Sequence, residues 1–300
     1  MGLTFTKGVS TAPSKFIKNV DGSNALPDGT VQKKWTDTKE LLSPGLMIGY
    51  KHRPGYPSAG QKELLLAAAS ATRTIMLKAV REMDRVVFFR RPEGQAFTNI
   101  MNYHFGLAAA GRAAGLPNTN VVDKPFGMRD IGATDRRWAL NKVREGMLSI
   151  SFHLNTGMYL IDCDNAQRTL QSGFVTGAAG TLVGAGTEGY CTWAGYGGFD
   201  TGLLSAWRNG EIHVAFKTMH DAGYSAKHFA RVIIHEAAHK YLGVGDENYA
   251  HQEAGYTAMG FQTCLNNADS FAWAALSLEA GFLLRGVNSQ DNKGYPGNIP

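Results

Sequence analysis

The chain has 300 residues and a formal charge of +5 at pH 7, with 44% hydrophobic and 18% charged residues. That composition can build a sizeable core and excludes a chain that is disordered throughout. No run of about 18 apolar residues occurs, which excludes a membrane-spanning helix, and the 36 glycines follow no Gly-X-Y period, which excludes collagen.

The basic residues are scattered despite a sequence pI near 9.0. Arg90-Arg91 and Arg136-Arg137 are isolated pairs, with no zinc knuckle or aromatic-basic RNA motif beside them. Nucleic acid is therefore not an expected partner. Cys163, Cys191 and Cys264 are spaced too widely for a Cys-x-x-Cys metal site. Cys163 and Cys191 are the pair to test for a disulfide, beside the equal reading of free buried thiols. The start of the chain has no apolar stretch of signal-peptide length. The expectation is a protein that is cytoplasmic in its producer or is exported by a specialised secretion system.

Residues 1–60 hold five of the ten prolines and the turn signals Asp21-Gly22, Pro27-Asp28-Gly29 and Pro54-Gly55. They read as an irregular N-terminal arm preceding a domain over 61–300. A capping box at Ser58-Ala59-Gly60-Gln61 opens a long, mostly buried helix through Leu64 to Met83. Further helices are predicted from Phe97 to about Ala114 and from Asp135 to about Phe152. Met158–Ile161 and Tyr190–Trp193 are short strand candidates. Glu211–Phe216 places Ile212, Val214 and Phe216 on one strand face. Ser225 can cap a helix that runs to Gly243, and a last helix is predicted from about Asn267 to Leu284. Helices, a few strands, then helices make an α+β domain, mainly helical with a small sheet.

The strongest signal is His235-Glu236-Ala237-Ala238-His239, an H-E-x-x-H sequence on a predicted helix. Two histidines four apart lie one turn up the same face, so both rings can reach one Zn²⁺ at ~2.1 Å. Glu236 is rotated by ~100° and stands beside the metal as a general base. With 9 histidines in the chain, a chance match arises at roughly 1% across the sequence. A third ligand sorts the possibilities. The metzincin pattern requires Gly at 242 and His at 245, where the chain has Leu242 and Gly245. Glu279 on a later helix would make a gluzincin. Alternatively Gly243 ends the helix and Gly245 lets the chain double back to offer Asp246.

Gly243-Val244-Gly245-Asp246-Glu247-Asn248-Tyr249-Ala250, downstream of the H-E-x-x-H, resembles the G-T-x-D-x-x-Y-G pattern of the aspzincins, the family of deuterolysin and the peptidyl-Lys metalloendopeptidases. Val replaces Thr and Ala replaces the final Gly. Asn267-Ala268-Asp269-Ser270-Phe271-Ala272 is similar to the family's N-A-D-S-Y-A segment, and Tyr103-His104-Phe105-Gly106 resembles a helix-end element. The resemblance covers roughly 211 to 285 and extends back toward residue 61. It implies a zincin-like peptidase with His235, His239 and Asp246 on Zn²⁺, Glu236 as base and Tyr249 as oxyanion donor. It also makes Asp269 a candidate for holding a substrate lysine, although Ala272 stands where the lysine-selective enzymes have a Glu; a broader basic preference is then expected. The competing role for Asp269 is a cap on the last helix.

Strand 211–216 is expected to line the cleft, with His213 as a substrate contact, and to pair with an extended substrate by strand addition; an interior strand is the even alternative. His220, His228 and His251 read as surface or hydrogen-bonded residues. The expected function is a zinc endopeptidase acting on protein or peptide, delivered as a bacterial effector, with a secretion machine or an inhibitor as partner. Two other readings stay open: a catalytically silent binding protein on the same fold, and a peptidoglycan peptide hydrolase.

Overall fold

The structure, a computed structural model, describes residues 17–18, 24–25, 31–32, 38–50, 52–107, 136–162, 189–190 and 211–286. Cys163, Cys191 and the expected strand residues 191–193 lie outside these, as do residues 108–114 of the expected second helix.

The fold is α+β. Three two-residue strands, β1 (Ile17–Lys18), β2 (Asn24–Ala25) and β3 (Val31–Gln32), form an antiparallel ladder. The main sheet holds β4 (Thr38–Ser43), β5 (Leu46–Tyr50), β6 (Met158–Asp162), β7 (Gly189–Tyr190) and β8 (Glu211–Val214), in the order β4-β5-β6-β8-β7. Strands β5, β6 and β8 run parallel, flanked by an antiparallel strand at each side.

This sheet corrects the expected domain boundary. Residues 38–50 are not part of an irregular arm: β4 and β5 form a hairpin around Pro44-Gly45, and β5 is buried throughout against β6. The proline and glycine signals there are turns between strands of the domain itself.

Helix α1 (Ala59–Val87) starts at the expected capping box. The Gln61 N–H donates to Ser58 Oγ at 3.2 Å, and the Ser58 N–H donates to Gln61 Oε1 at 2.8 Å. Its buried stripe, Leu65, Ala68, Ala69, Thr72, Ile75, Met76, Ala79 and Met83, follows the 3.6-residue period. Helix α2 (Gln95–Phe105) ends at Gly106, and α3 (Arg136–Thr156) leads directly into β6. Helix α4 (Phe216–Asp221) starts where the expected strand was to continue, because β8 stops at Val214.

Helix α5 (Ala226–Leu242) is capped by Ser225, whose Oγ accepts from the His228 N–H, and is closed by Gly243 at φ 71°. Short helices α6 (Glu253–Ala258) and α7 (Phe261–Leu265) precede α8 (Ala268–Ala280). Helix α5 is the hub: it packs against α1, α3, α8 and β8. Twelve of its residues are buried, including His235 and Glu236. A helix surrounded this way cannot shift without disturbing the whole core, which fixes whatever its exposed edge carries. No helix among the described residues is long and apolar enough to cross a membrane.

Candidate metal centre

His235 and His239 lie one turn apart on α5, and the chain reverses after Gly243 to bring Asp246 over the same turn. His235 Nε2 and His239 Nε2 are 3.1 Å apart, and Asp246 Oδ1 is 3.1 Å from the first and 3.2 Å from the second. The three atoms form a nearly equilateral triangle. Tetrahedral ligands at about 2.0–2.1 Å from a metal stand about 3.3–3.4 Å from one another, so the triangle is close to one face of such a tetrahedron.

Proton placement decides what this triangle can hold. His239 Nδ1 lies 2.7 Å from the Val244 carbonyl oxygen, which only accepts, so Nδ1 carries the proton. His235 Nδ1 lies 2.7 Å from Asp269 Oδ1, a carboxylate oxygen that also accepts. In neutral imidazoles both Nε2 atoms are then lone-pair acceptors, facing each other and a third acceptor, Asp246 Oδ1. Three such groups within 3.2 Å fit a bound cation, and the outer hydrogen bonds have the form of carboxylate– and carbonyl–histidine–metal arrangements.

Two segments hold the loop. The Gly245 N–H donates to the Asn266 carbonyl at 2.8 Å, and the Ala268 N–H donates to the Gly245 carbonyl at 3.0 Å. Asn267 Oδ1 accepts from the Glu247 and Asn248 N–H groups, while its Nδ2 donates to the Asn248 carbonyl at 2.9 Å. Asp269 Oδ2 accepts from the Ala250 N–H at 2.7 Å. Asn267 and Asp269 therefore clamp residues 245–250 to the start of α8. Val244 holds His239 through its backbone carbonyl, so this bond does not depend on the side chain at 244.

Asp269 is thereby corrected as a substrate contact. It is 2% exposed, its two oxygens serve His235 and Ala250, and Arg231 Nη1 stands 3.5 Å away. It is also not the N-cap of α8, which is Asn267. Burial alone would raise its pKa, but His235 and Arg231 outweigh that and keep the carboxyl below its ordinary value.

His213 is likewise corrected. It is 1% exposed and sits in an interior strand, paired with Ile161 of β6 and Tyr190 of β7. The alternation of Ile212, Val214 and Phe216 reads as a half-exposed strand, but parallel strands covered on both faces are buried at every position. With β7 on its outer side, β8 offers no free edge to a substrate at His213 and Val214.

Glu279 is not in the centre: its carboxylate pairs with Lys78 at 2.7 Å and Lys227 at 3.1 Å. Glu236 is buried beside the two imidazoles, and its Oε2 has no hydrogen-bond partner. Burial pushes its carboxyl up to about 7, opposed by the charges of His235 and His239. For His235, burial acts downward, but hydrogen bonds to Asp246 and Asp269 raise its pKa well above the ordinary value. Asp246 is held well below the carboxylate range, its desolvation outweighed by both histidines.

Tyr249 stacks on the His235 ring with centroids 6.1 Å apart and planes at 14°. It remains 39% exposed. Its pKa is raised by burial first and then by Asp246, Glu236 and Asp269, so the hydroxyl keeps its proton. His251 also stacks on the Tyr249 ring, at 5.5 Å and 13°, a contact that a surface reading of His251 misses. His104 is a buried structural group between Tyr256 Oη at 2.8 Å and Ser277 Oγ at 3.1 Å, and burial lowers its pKa to about 3.

Compared with known proteins, the chain matches no family model, no curated protein and no solved structure.

Proposed function

We propose that this chain is a zinc-dependent endopeptidase of the aspzincin type, acting on protein or peptide substrates. The observation that carries the reading is the triangle of His235 Nε2, His239 Nε2 and Asp246 Oδ1, with both outer histidine nitrogens engaged as donors. Two imidazoles and one carboxylate, held on a helix and a clamped turn, form a donor set suited to Zn²⁺. When bound, zinc supplies Lewis acidity, which polarises a carbonyl and lowers the pKa of water toward ~7.

The chain's own groups supply the rest. Glu236 has a buried, unpartnered Oε2, which takes the proton of the attacking water and later passes it to the leaving amine. Its upward shift toward neutrality suits a group that must both accept and return a proton near pH 7. Tyr249, protonated and partly open to solvent, donates a hydrogen bond to the oxyanion that develops as the carbonyl is attacked. Asp269 acts through His235, fixing its tautomer and ring orientation.

The test is Glu236→Gln. The variant is expected to keep ~1 zinc per chain, because the ligands remain, and to lose peptide hydrolysis, because the base is gone. Casein cleavage at a rate comparable to the unmodified chain would show that Glu236 is not the base.

A further inference from the structure

The two isolated arginine pairs of the sequence meet in space. Phe88-Phe89-Arg90-Arg91 is the turn that leaves α1, and Arg136-Arg137 opens α3. Two clefts adjoin there, of about 360 Å³ and about 500 Å³, and Arg90 and Arg137 line both. Arg91, Arg136 and the carboxylate of Glu93 also line the first cleft, and Arg144 and Phe88 line the second.

Among the described residues, the acids nearby are already paired. Glu93 pairs with Arg136 at 2.8 Å, and Asp84 pairs with Arg144 at 2.5 Å. Arg137 donates to the Val87 carbonyl at 3.0 Å and has no carboxylate partner among the described residues. Arg90 and Arg91 have no ion pair among the described residues, and both are exposed. Among the described residues, the guanidinium groups of Arg90, Arg91 and Arg137 thus have no carboxylate partner of their own, and Glu93 is engaged by Arg136.

Arg90 also sets the course of the chain at the end of α1. Its φ of 56° makes it a non-glycine residue in the left-handed region, a conformation that costs roughly 1–2 kcal/mol for a residue with a Cβ. The Arg91 N–H donates to the Arg85 carbonyl at 3.0 Å, so the left-handed residue belongs to the closure of α1. Here it turns the chain so that Arg90 serves both clefts, while Phe88 and Phe89 remain 66% and 65% exposed beside it.

We propose that these adjoining clefts bind a compact anion bearing two or more phosphate groups, gripped by Arg90, Arg91 and Arg137. Guanidinium forks match phosphate oxygens two at a time, which the point charge of lysine does not. A single phosphate engages one cleft; a ligand with several spans both through the shared Arg90 and Arg137. The same chemistry is offered by a free polyphosphate and by the headgroup of a polyphosphorylated lipid. In the second case Phe88 and Phe89 would enter the acyl boundary.

The test uses the full chain and inorganic tripolyphosphate, titrated by calorimetry at fixed ionic strength beside inorganic sulfate. Tripolyphosphate is expected to bind at least roughly tenfold more tightly than sulfate, and Arg90→Gln with Arg137→Gln is expected to remove that advantage. Arg85→Gln, at an arginine already paired with Glu82, serves as the control and is expected to leave binding unchanged. Because these side chains lie at the surface, the single variant Arg91→Gln, expected to weaken binding several-fold, is read if the double variant melts early.

A parallel arm measures sedimentation with vesicles containing a bisphosphorylated inositol lipid. Binding there that Phe88→Ser and Phe89→Ser reduce identifies the lipid source, whereas tripolyphosphate binding without vesicle binding identifies the free anion. The proposal is overturned if neither probe binds better than sulfate, if Arg90→Gln with Arg137→Gln binds like the unmodified chain, or if a single-stranded oligonucleotide outcompetes both probes.

Discussion

His235 and His239 each turn Nδ1 toward an outer acceptor, Asp269 or the Val244 carbonyl, and Nε2 toward Asp246, and those outer acceptors set the ring orientations. Removing one outer partner should therefore weaken metal binding without touching a ligand. Asp269→Ala is expected to lower zinc affinity by roughly 10–100-fold, measured by competition with a chelating dye, while leaving the pattern of cleavage sites unchanged. A changed residue preference at unchanged affinity would return Asp269 to the substrate. Tyr249→Phe is expected to lower kcat by roughly 10²–10³ with little change in KM, since a hydrogen bond made mainly to a developing oxyanion is worth about 2.7–4 kcal/mol. A pure KM effect would make Tyr249 a substrate-positioning group. At this scale the sequence was informative wherever spacing encodes geometry. His235, Glu236 and His239 share one helix, so their relation follows from the helical period. Asp246 was legible because Gly243 and Gly245 mark the reversal that delivers it. Asn267, Asp269 and His251 were not, because their roles depend on which loop atoms meet the start of α8, and no local pattern encodes that.

The elements of the site region are held by two different glycine requirements, and substitutions separate them. Gly243 ends α5 at φ 71°, and a Cβ there would meet nothing within 4 Å. Gly243→Ala is thus expected to cost only the left-handed conformation, roughly 1–2 kcal/mol, read as a lowered denaturant midpoint with an unchanged m-value. Gly146 in α3 is the opposite case: a Cβ would lie 2.5 Å from Phe271 Cε1. Gly146→Ala should cost roughly 1–3 kcal/mol by overpacking, and because Phe271 neighbours Asp269 in α8 it should also weaken zinc binding, which Gly243→Ala tests in a different way by loosening the turn before Asp246. Helices α1, α3, α5 and α8 were legible through their caps and apolar stripes, with ends displaced by a few residues. The strand at 211 was legible as a strand, with a cleft-lining and an interior place equally open. Its partners β6 and β7 are distant in sequence, and a covered parallel strand carries no alternation to reveal its neighbours.

For the molecule as a whole, the sheet begins before the long helix, so residues 38–50 belong to the domain although their prolines and glycines look like those of a leader. Parallel pairing of β5 with β6 spans more than a hundred residues of chain, which composition cannot register. The candidate metal centre joins α5 to the turn at 246, and through Asp269 it reaches α8, adding to the hydrogen bonds that already link these elements. A ligand that binds only the folded state stabilises it by mass action, about 4 kcal/mol at a thousandfold excess over Kd. Chelation is therefore expected to lower Tm by several degrees, with recovery on adding Zn²⁺, and a melt indifferent to chelator would argue that no tightly held ion bridges these elements. The most direct measurement is the zinc content per chain, by elemental analysis after dialysis, for the unmodified chain, Asp246→Ala and Glu279→Ala. The unmodified chain and Glu279→Ala should each retain ~1 zinc, and Asp246→Ala should bind at least roughly tenfold more weakly. Retention by Asp246→Ala, or loss of the metal from Glu279→Ala alone, would contradict the assignment of His235, His239 and Asp246 as the zinc ligands.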